Sequence, residues 1–111
     1  MVIQSKIEVL SIKKFSLIKN KKKFLNNNFS EREISYCNKK SNSDISFIGK
    51  LCSKNALKKL IGKKFKKRDI EILNTKKGRP YVYIKGRRMG NIYCSISHTG
   101  ENAVALIVIK R

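Results

Sequence analysis

The sequence has few acidic residues, one histidine and no long apolar run, and each scarcity narrows the possible functions. Seven Asp and Glu residues stand against 27 Lys and Arg residues, which gives a formal net charge of +20 at pH 7. No stretch reaches the roughly 18 apolar residues that a membrane-spanning helix needs, and the first residues lack the layout of a signal peptide. We therefore expect a cytoplasmic protein with no membrane partner.

The three cysteines and the single histidine exclude several kinds of site. Cys37, Cys52 and Cys94 are widely spaced and form no Cys-x-x-Cys pair, so a zinc site has no support. An odd number of cysteines without a secretion signal favours free thiols. No Ser or Cys is spaced so as to make a nucleophile with His98, and a triad would also need an acidic orienting residue, so a hydrolase is discounted.

The positive charge suggests an anionic partner such as a phosphate compound, an acidic protein or nucleic acid. A second explanation stays open, because an AT-rich coding bias would also give many Lys, Asn and Ile codons. The four tyrosines could stack on bases. No nucleic-acid-binding motif accompanies them, so nucleic acid is the least favoured partner.

The length suits one domain, residues 1–111, and the apolar pattern divides it into two halves. Ser30 and Glu33 form a capping-box pattern that begins a helix. The predicted order is a strand over 1–9, a helix over 10–18, a helix end and loop over 19–28, helices over 30–39 and 44–61, and strands over 69–73, 80–85, 92–97 and 103–109. Helices thus dominate the first half and antiparallel strands the second, which is an α+β fold.

Two stretches combine residue types that suit phosphate chemistry. In the long helix, Lys50, Lys54 and Lys58 form a row, while Asn55 and Lys59 are four residues apart and share a face. Such a row of lysines is usually only a solvated face. Later in the chain, a Gly-Arg-Pro turn at 78–80 precedes the sequence Ser-Ile-Ser-His-Thr at 95–99.

Together these motifs resemble the holo-acyl-carrier-protein synthases, which are small 4′-phosphopantetheinyl transferases. The resemblance is strong over residues 47–109 and extends to the helix start at Ser30, Glu33 and Ile34. It implies a 4′-phosphopantetheinyl transferase-like fold and a homotrimer with coenzyme A at the subunit interfaces. It also implies that 4′-phosphopantetheine moves from coenzyme A to a serine of apo acyl carrier protein, giving holo carrier protein for fatty-acid synthesis.

The same resemblance implies roles for individual residues. Glu8 takes the place of the family's metal-ligand Asp and Asn55 that of its second ligand, a Glu. The two residues are therefore expected to hold Mg²⁺, or Mn²⁺, and to form the catalytic centre with Lys59. The residues expected to bind coenzyme A are Lys50, Lys54, Lys59, Ser97, His98 and Thr99. The acidic carrier protein is expected to meet Lys13 and Lys14.

Asn55 is a departure from the family pattern. Its amide keeps a carbonyl oxygen that can coordinate a hard cation, but it lacks the negative charge of Glu and cannot act as a base. Beside a working transferase with a weakened metal site, two alternatives stay open. One is a pseudoenzyme of the same fold that binds coenzyme A or carrier protein without turnover, and the other is a basic nucleic-acid-binding domain.

Overall fold

The computed structural model describes residues 1–111 as two three-stranded antiparallel sheets packed on one long helix. None of its four helices combines the length and the apolar character that a bilayer crossing requires. The helices are α1 (Ile12–Ser16), α2 (Lys21–Asn28), α3 (Glu31–Asn38) and α4 (Ser43–Ile61), and a 3-10 helix spans Lys67–Asp69. The strands are β1 (Ile3–Ser11), β2 (Ile70–Asn74), β3 (Pro80–Ile84), β4 (Arg87–Arg88), β5 (Ile92–His98) and β6 (Asn102–Lys110).

The larger sheet joins the first strand of the chain to the last two, in the order β1-β6-β5. The pairing of β1 with β6 runs from Ile3 opposite Lys110 to Ser11 opposite Asn102. This complete pairing makes β1 two residues longer at its end than the sequence predicted. The sequence predicted one antiparallel sheet in the C-terminal half. The structure has two sheets instead: β1 from the N-terminal half joins β5 and β6, while β2, β3 and β4 form the second sheet.

Helix α4 packs against both sheets and supplies the centre of the core. Asn42 Oδ1 accepts a hydrogen bond from Ile45 N at 3.2 Å and caps the start of the helix. Gly62 follows its end with a φ of 82°, a conformation that favours glycine. Gly49 lets β5 approach closely, because a Cβ atom there would lie 2.8 Å from Ile96 Cγ2.

Two short elements differ from the sequence prediction. Residues 21–28 form helix α2 where a helix end and loop were expected, because Phe24 and Leu25 pack against the core. The Phe24 ring meets the buried Phe15 ring edge-on, with centroids 6.1 Å apart. Strand β4 was not expected, since its two arginines carry no alternating pattern; Arg88 pairs with Tyr83 of β3. The predicted capping box of α3 is confirmed.

One face of the larger sheet is left uncovered, since α4 packs only against the other. Successive residues of a strand point to opposite faces, so Ile7 and Val9 of β1 share this outer face. They are 60% and 53% exposed. Leu106 on the adjacent β6 and Tyr93 on β5 are exposed as well. This apolar outer face is unusual for a surface in contact with water.

Candidate active site

Helix α4 holds the predicted site residues on opposite faces. With 3.6 residues per turn, Asn55 and Lys59 lie about 140° and about 180° around the helix from Lys50. The contacts agree with this geometry: Lys59 reaches Glu8 on β1, whereas Lys50 reaches the carbonyl oxygen of Ile72 on β2. Six of the predicted site residues therefore line two separate cavities of the chain, three in each.

The first cavity, called here the lysine cavity, collects the three residues expected to be catalytic. Lys59 Nζ donates a hydrogen bond to Glu8 Oε2 at 2.7 Å. The Glu8 side chain is only 14% exposed, so this ion pair is partly shielded from water. Asn55 lies beside it and is half-buried. The open cavity has a volume of about 550 Å³, and its lining residues are Glu8, Asn55, Lys58, Lys59, Gly62, Lys63 and Lys67.

The electrostatics of the lysine cavity favour an anionic ligand. One carboxylate faces four ammonium groups among its lining residues. Burial lowers the pKa of Lys67, and the positive charge of Lys58 lowers it further. Lysines that repel one another in this way would be stabilised by an anion placed between them. The thiol next to this region stays protonated at neutral pH, because burial, with a smaller contribution from Glu8, raises the pKa of Cys52 to about 11.

The lysine cavity is a poor site for a Mg²⁺ ion held by the protein alone. Its single carboxylate, on Glu8, is already paired with Lys59, and Asn55 adds only a neutral carbonyl oxygen. No group of three His, Cys, Asp or Glu side chains in the chain is placed to hold a metal ion. Mg²⁺ prefers carboxylate and phosphate oxygens in octahedral geometry, so the donors present do not fit a resident ion.

The second cavity, called here the histidine cavity, lies on the other face of α4. Lys50 forms part of its wall and is held there by hydrogen bonds to Ile72 O and Asn74 Oδ1. Burial lowers the pKa of Lys50, and its ammonium lies 4.7 Å from the centre of the Tyr36 ring. Further residues that line this cavity of about 590 Å³ include Lys40, Asn42, Ser46, Gly78, Pro80, Ser97 and His98. Ser97 and His98 are exposed, at the end of β5.

Lys54 lies in neither cavity. Its side chain is fully buried and forms an ion pair with Glu33, whose side chain is also fully buried. The same ammonium donates to Asn28 O at 2.7 Å and to Lys67 O at 2.9 Å. An ammonium has three protons to donate, and these three acceptors use them all. The expectation that Lys54 binds coenzyme A does not fit this geometry, which makes Lys54 a residue that stabilises the fold.

The remaining predicted residues lie outside both cavities. Thr99 Oγ1 accepts hydrogen bonds from the backbone N–H groups of Glu101 and Asn102 and so holds the turn between β5 and β6. Lys13 and Lys14 are exposed on α1. Sequence reasoning missed the cavity residues Lys40, Asn42, Asn74, Lys58, Lys63 and Lys67. Lys58 belonged to the lysine row of α4, and Lys63 and Lys67 belonged to the basic connector over residues 63–68, but neither signal reveals what these residues approach in space.

Four lysines line one cavity and Lys40 and Lys50 line the other, on either side of one helix, which suits a ligand with several phosphate groups. No protein-family model matches the chain. It is 32% identical to the holo-[acyl-carrier-protein] synthase of Halothermothrix orenii over an alignment of 115 residues, which covers 92% of each chain. It is 34% identical to the enzyme of the same name from Clostridium tetani, over 94% of this chain and 90% of the relative.

Solved structures agree with these relatives. The holo-[acyl-carrier-protein] synthase of Helicobacter pylori, solved in complex with coenzyme A, is 27% identical and matches with a TM-score of 0.82. The match covers 96% of this chain and 100% of that one. The chain therefore belongs to the holo-acyl-carrier-protein synthase family. The predicted α+β fold, with a 4′-phosphopantetheinyl transferase-like architecture, is confirmed.

Proposed function

We propose that this protein transfers 4′-phosphopantetheine from coenzyme A to a serine of an apo acyl carrier protein. The observation that carries the proposal is the convergence of Glu8, Asn55 and Lys59 in the lysine cavity, in a chain that belongs to this family. A cationic cavity next to a single carboxylate offers both charge neutralisation and a base.

In this reaction the serine oxygen bonds to the phosphorus that carries the pantetheine arm. The bond from that phosphorus to the bridging oxygen of the diphosphate breaks, and its electron pair leaves with adenosine 3′,5′-bisphosphate. Phosphoryl transfer depends mainly on positioning and on charge stabilisation. Lys59 neutralises the charge that develops on the leaving phosphate, and Glu8, the one carboxylate lining the cavity, takes the serine proton.

The nucleotide end of coenzyme A would occupy the histidine cavity. Lys40 and Lys50 supply positive charge for its phosphate, while Ser97 and His98 offer hydrogen bonds from the end of β5. Thr99 supports this arrangement by holding the turn rather than by lining the cavity. The histidine cavity is thus assigned to the nucleotide end of coenzyme A, and the lysine cavity is assigned to its diphosphate.

A shared site between subunits follows from this assignment. The two cavities lie on opposite faces of α4, and a helix with its side chains is about 10–12 Å thick. One coenzyme A molecule reaches both most directly when the lysine cavity of one protomer meets the histidine cavity of the next. The exposed apolar face with Ile7 and Val9 gives a neighbouring protomer a surface to cover. A cyclic homotrimer would repeat such a site at each of its interfaces.

Further expectations from the sequence belong to the same proposal. Mg²⁺ at Glu8 and Asn55 would need the diphosphate oxygens of coenzyme A as its main ligands, and none of the steps above depends on it. The acidic carrier protein would approach Lys13 and Lys14, which are exposed on α1. The reaction would take place in the cytoplasm.

The test is a transfer assay with the purified protein, coenzyme A and apo carrier protein, read by intact mass. The expected result is a mass gain of one phosphopantetheine group, absent when the acceptor serine is replaced by alanine. Lys59→Ala should reduce the rate strongly, whereas Lys64→Ala, an exposed lysine that does not line the cavity, should not. Tight binding of coenzyme A with no mass gain under any condition would favour the pseudoenzyme instead.

A further inference from the structure

The lysine cavity contains three basic residues to which the resemblance gives no role. Lys58 comes from the last turns of α4, Lys63 follows the glycine that ends this helix, and Lys67 begins the 3-10 helix before β2. Three different segments therefore bring an ammonium group to the cavity in which Lys59 pairs with Glu8. The position that would have added a second carboxylate holds Asn55.

We infer that Lys58, Lys63 and Lys67 bind the diphosphate of coenzyme A together with Lys59, and that transfer in this protein proceeds without a divalent metal ion. The inference rests on the proposed function and deepens it by assigning the charge neutralisation to side chains. It also gives the basic connector after α4, residues 63–68, a specific role, which is to bind the diphosphate.

The charge of the cavity supports this assignment. One carboxylate and four ammonium groups give the lining residues a net charge of +3, which the diphosphate dianion largely balances. A divalent cation would enter the same space against four like charges, with one paired carboxylate to attract it. Lysine suits the task because its ammonium acts as a compact point charge on phosphate oxygens.

All bonds, electrons and protons of the covalent step are accounted for without a metal ion. The serine oxygen bonds to the phosphorus of the pantetheine phosphate, and the bond to the bridging oxygen breaks. The electron pair stays on the phosphate of adenosine 3′,5′-bisphosphate, where the lysine cluster stabilises it. The serine proton goes to Glu8, so no further reactant is required.

The first experiment compares transfer in Mg²⁺ with transfer in excess EDTA. The wild-type rate should change by less than about threefold, since the lysines replace the cation's charge. Asn55→Glu adds a second carboxylate, so its rate should fall at least about tenfold in EDTA and recover with Mg²⁺. A wild-type rate that falls at least tenfold in EDTA and is restored by Mg²⁺ would overturn the inference.

The second experiment measures coenzyme A binding by calorimetry in EDTA for two variants of equal charge. Lys63→Ala combined with Lys67→Ala removes two cavity lysines, and the dissociation constant should rise at least about tenfold. Lys64→Ala combined with Lys66→Ala removes two neighbouring lysines that do not line the cavity, and should change it by less than about twofold. Alanine leaves the Lys67 carbonyl free to accept from Lys54, and thermal unfolding checks that both variants fold.

The two experiments separate failure of the inference from failure of the proposed function. If the wild type shows no transfer under any condition, the proposed function fails, and the calorimetry still decides whether the lysines bind diphosphate. If the cavity variant and its control bind coenzyme A equally well, the lysine assignment is wrong even where transfer is observed.

Discussion

A mixture of two inactive variants should recover activity if the site is shared between subunits. One variant, Glu8→Gln with Lys59→Ala, disables the lysine cavity. The other, Lys40→Glu with His98→Ala, disables the histidine cavity. In the proposed trimer, each variant alone would lack one half of every site, whereas a mixed trimer would contain one interface at which an intact lysine cavity meets an intact histidine cavity.

The expected recovery can be worked out from the geometry. Each interface takes its lysine cavity from one protomer and its histidine cavity from the next around a cyclic trimer. A mixed trimer holds two copies of one variant and one copy of the other, so one of its three interfaces joins two intact halves. About one third of the interfaces in the purified mixed assemblies are therefore complete, and these assemblies should show about one third of the wild-type rate per subunit.

The assay requires co-expression with two different affinity tags, so that only mixed assemblies are purified. Transfer is then measured by the mass gain of apo carrier protein, at a coenzyme A concentration at which each single variant is inactive. No recovery in verified mixed assemblies would show that both cavities act within one protomer. Light scattering that reports a stable monomer at micromolar concentration would refute the shared site as well.

Three further changes test other parts of the structure. Lys54→Met should lower the free energy of unfolding by about 3–5 kcal/mol, because it leaves the charge of Glu33 buried without its partner; a urea titration that shows less than about 1 kcal/mol would contradict this. Lys14→Glu should slow association with the acidic carrier protein in stopped-flow measurements, and the defect should shrink at high salt. A defect that salt does not change would place carrier docking elsewhere. Gly49→Val should cost about 1–3 kcal/mol by overpacking against Ile96, and an unchanged unfolding midpoint would show that β5 can move away.

Local patterns predicted most of the fold. The capping box at Ser30 and Glu33 and the apolar face of α4 depend on neighbours in sequence, so the sequence alone defined both. Helix α2 was missed because its two apolar residues, Phe24 and Leu25, are too few to show a helical period. They stabilise the helix by packing on the core, which is a tertiary contact. The division of the strands into two sheets depends on pairing between distant segments, which no local pattern contains.

The candidate site was predictable only where the family motif carried it. That motif named Glu8, Asn55 and Lys59, and the structure places all three around one cavity. It could not distinguish Lys54 from its neighbours in the lysine row, because the partner Glu33 lies 21 residues earlier in the chain. The approach of Lys63 to this cavity depends on how the chain turns after α4, which is a matter of tertiary structure.

The pairing of the first strand with the last has a consequence for folding on the ribosome. Strand β1 emerges first, with Ile3, Ile7 and Val9 on one side, but its only partner in the sheet is β6, which begins at Asn102. Contacts so distant in sequence form late and slow the folding of a domain. Strand β1 must therefore stay unpaired until β6 has been synthesised, and an unpaired, apolar strand is prone to aggregation. A chain that stalls before β6 would contain all four helices and still be unable to build the sheet on which α4 rests.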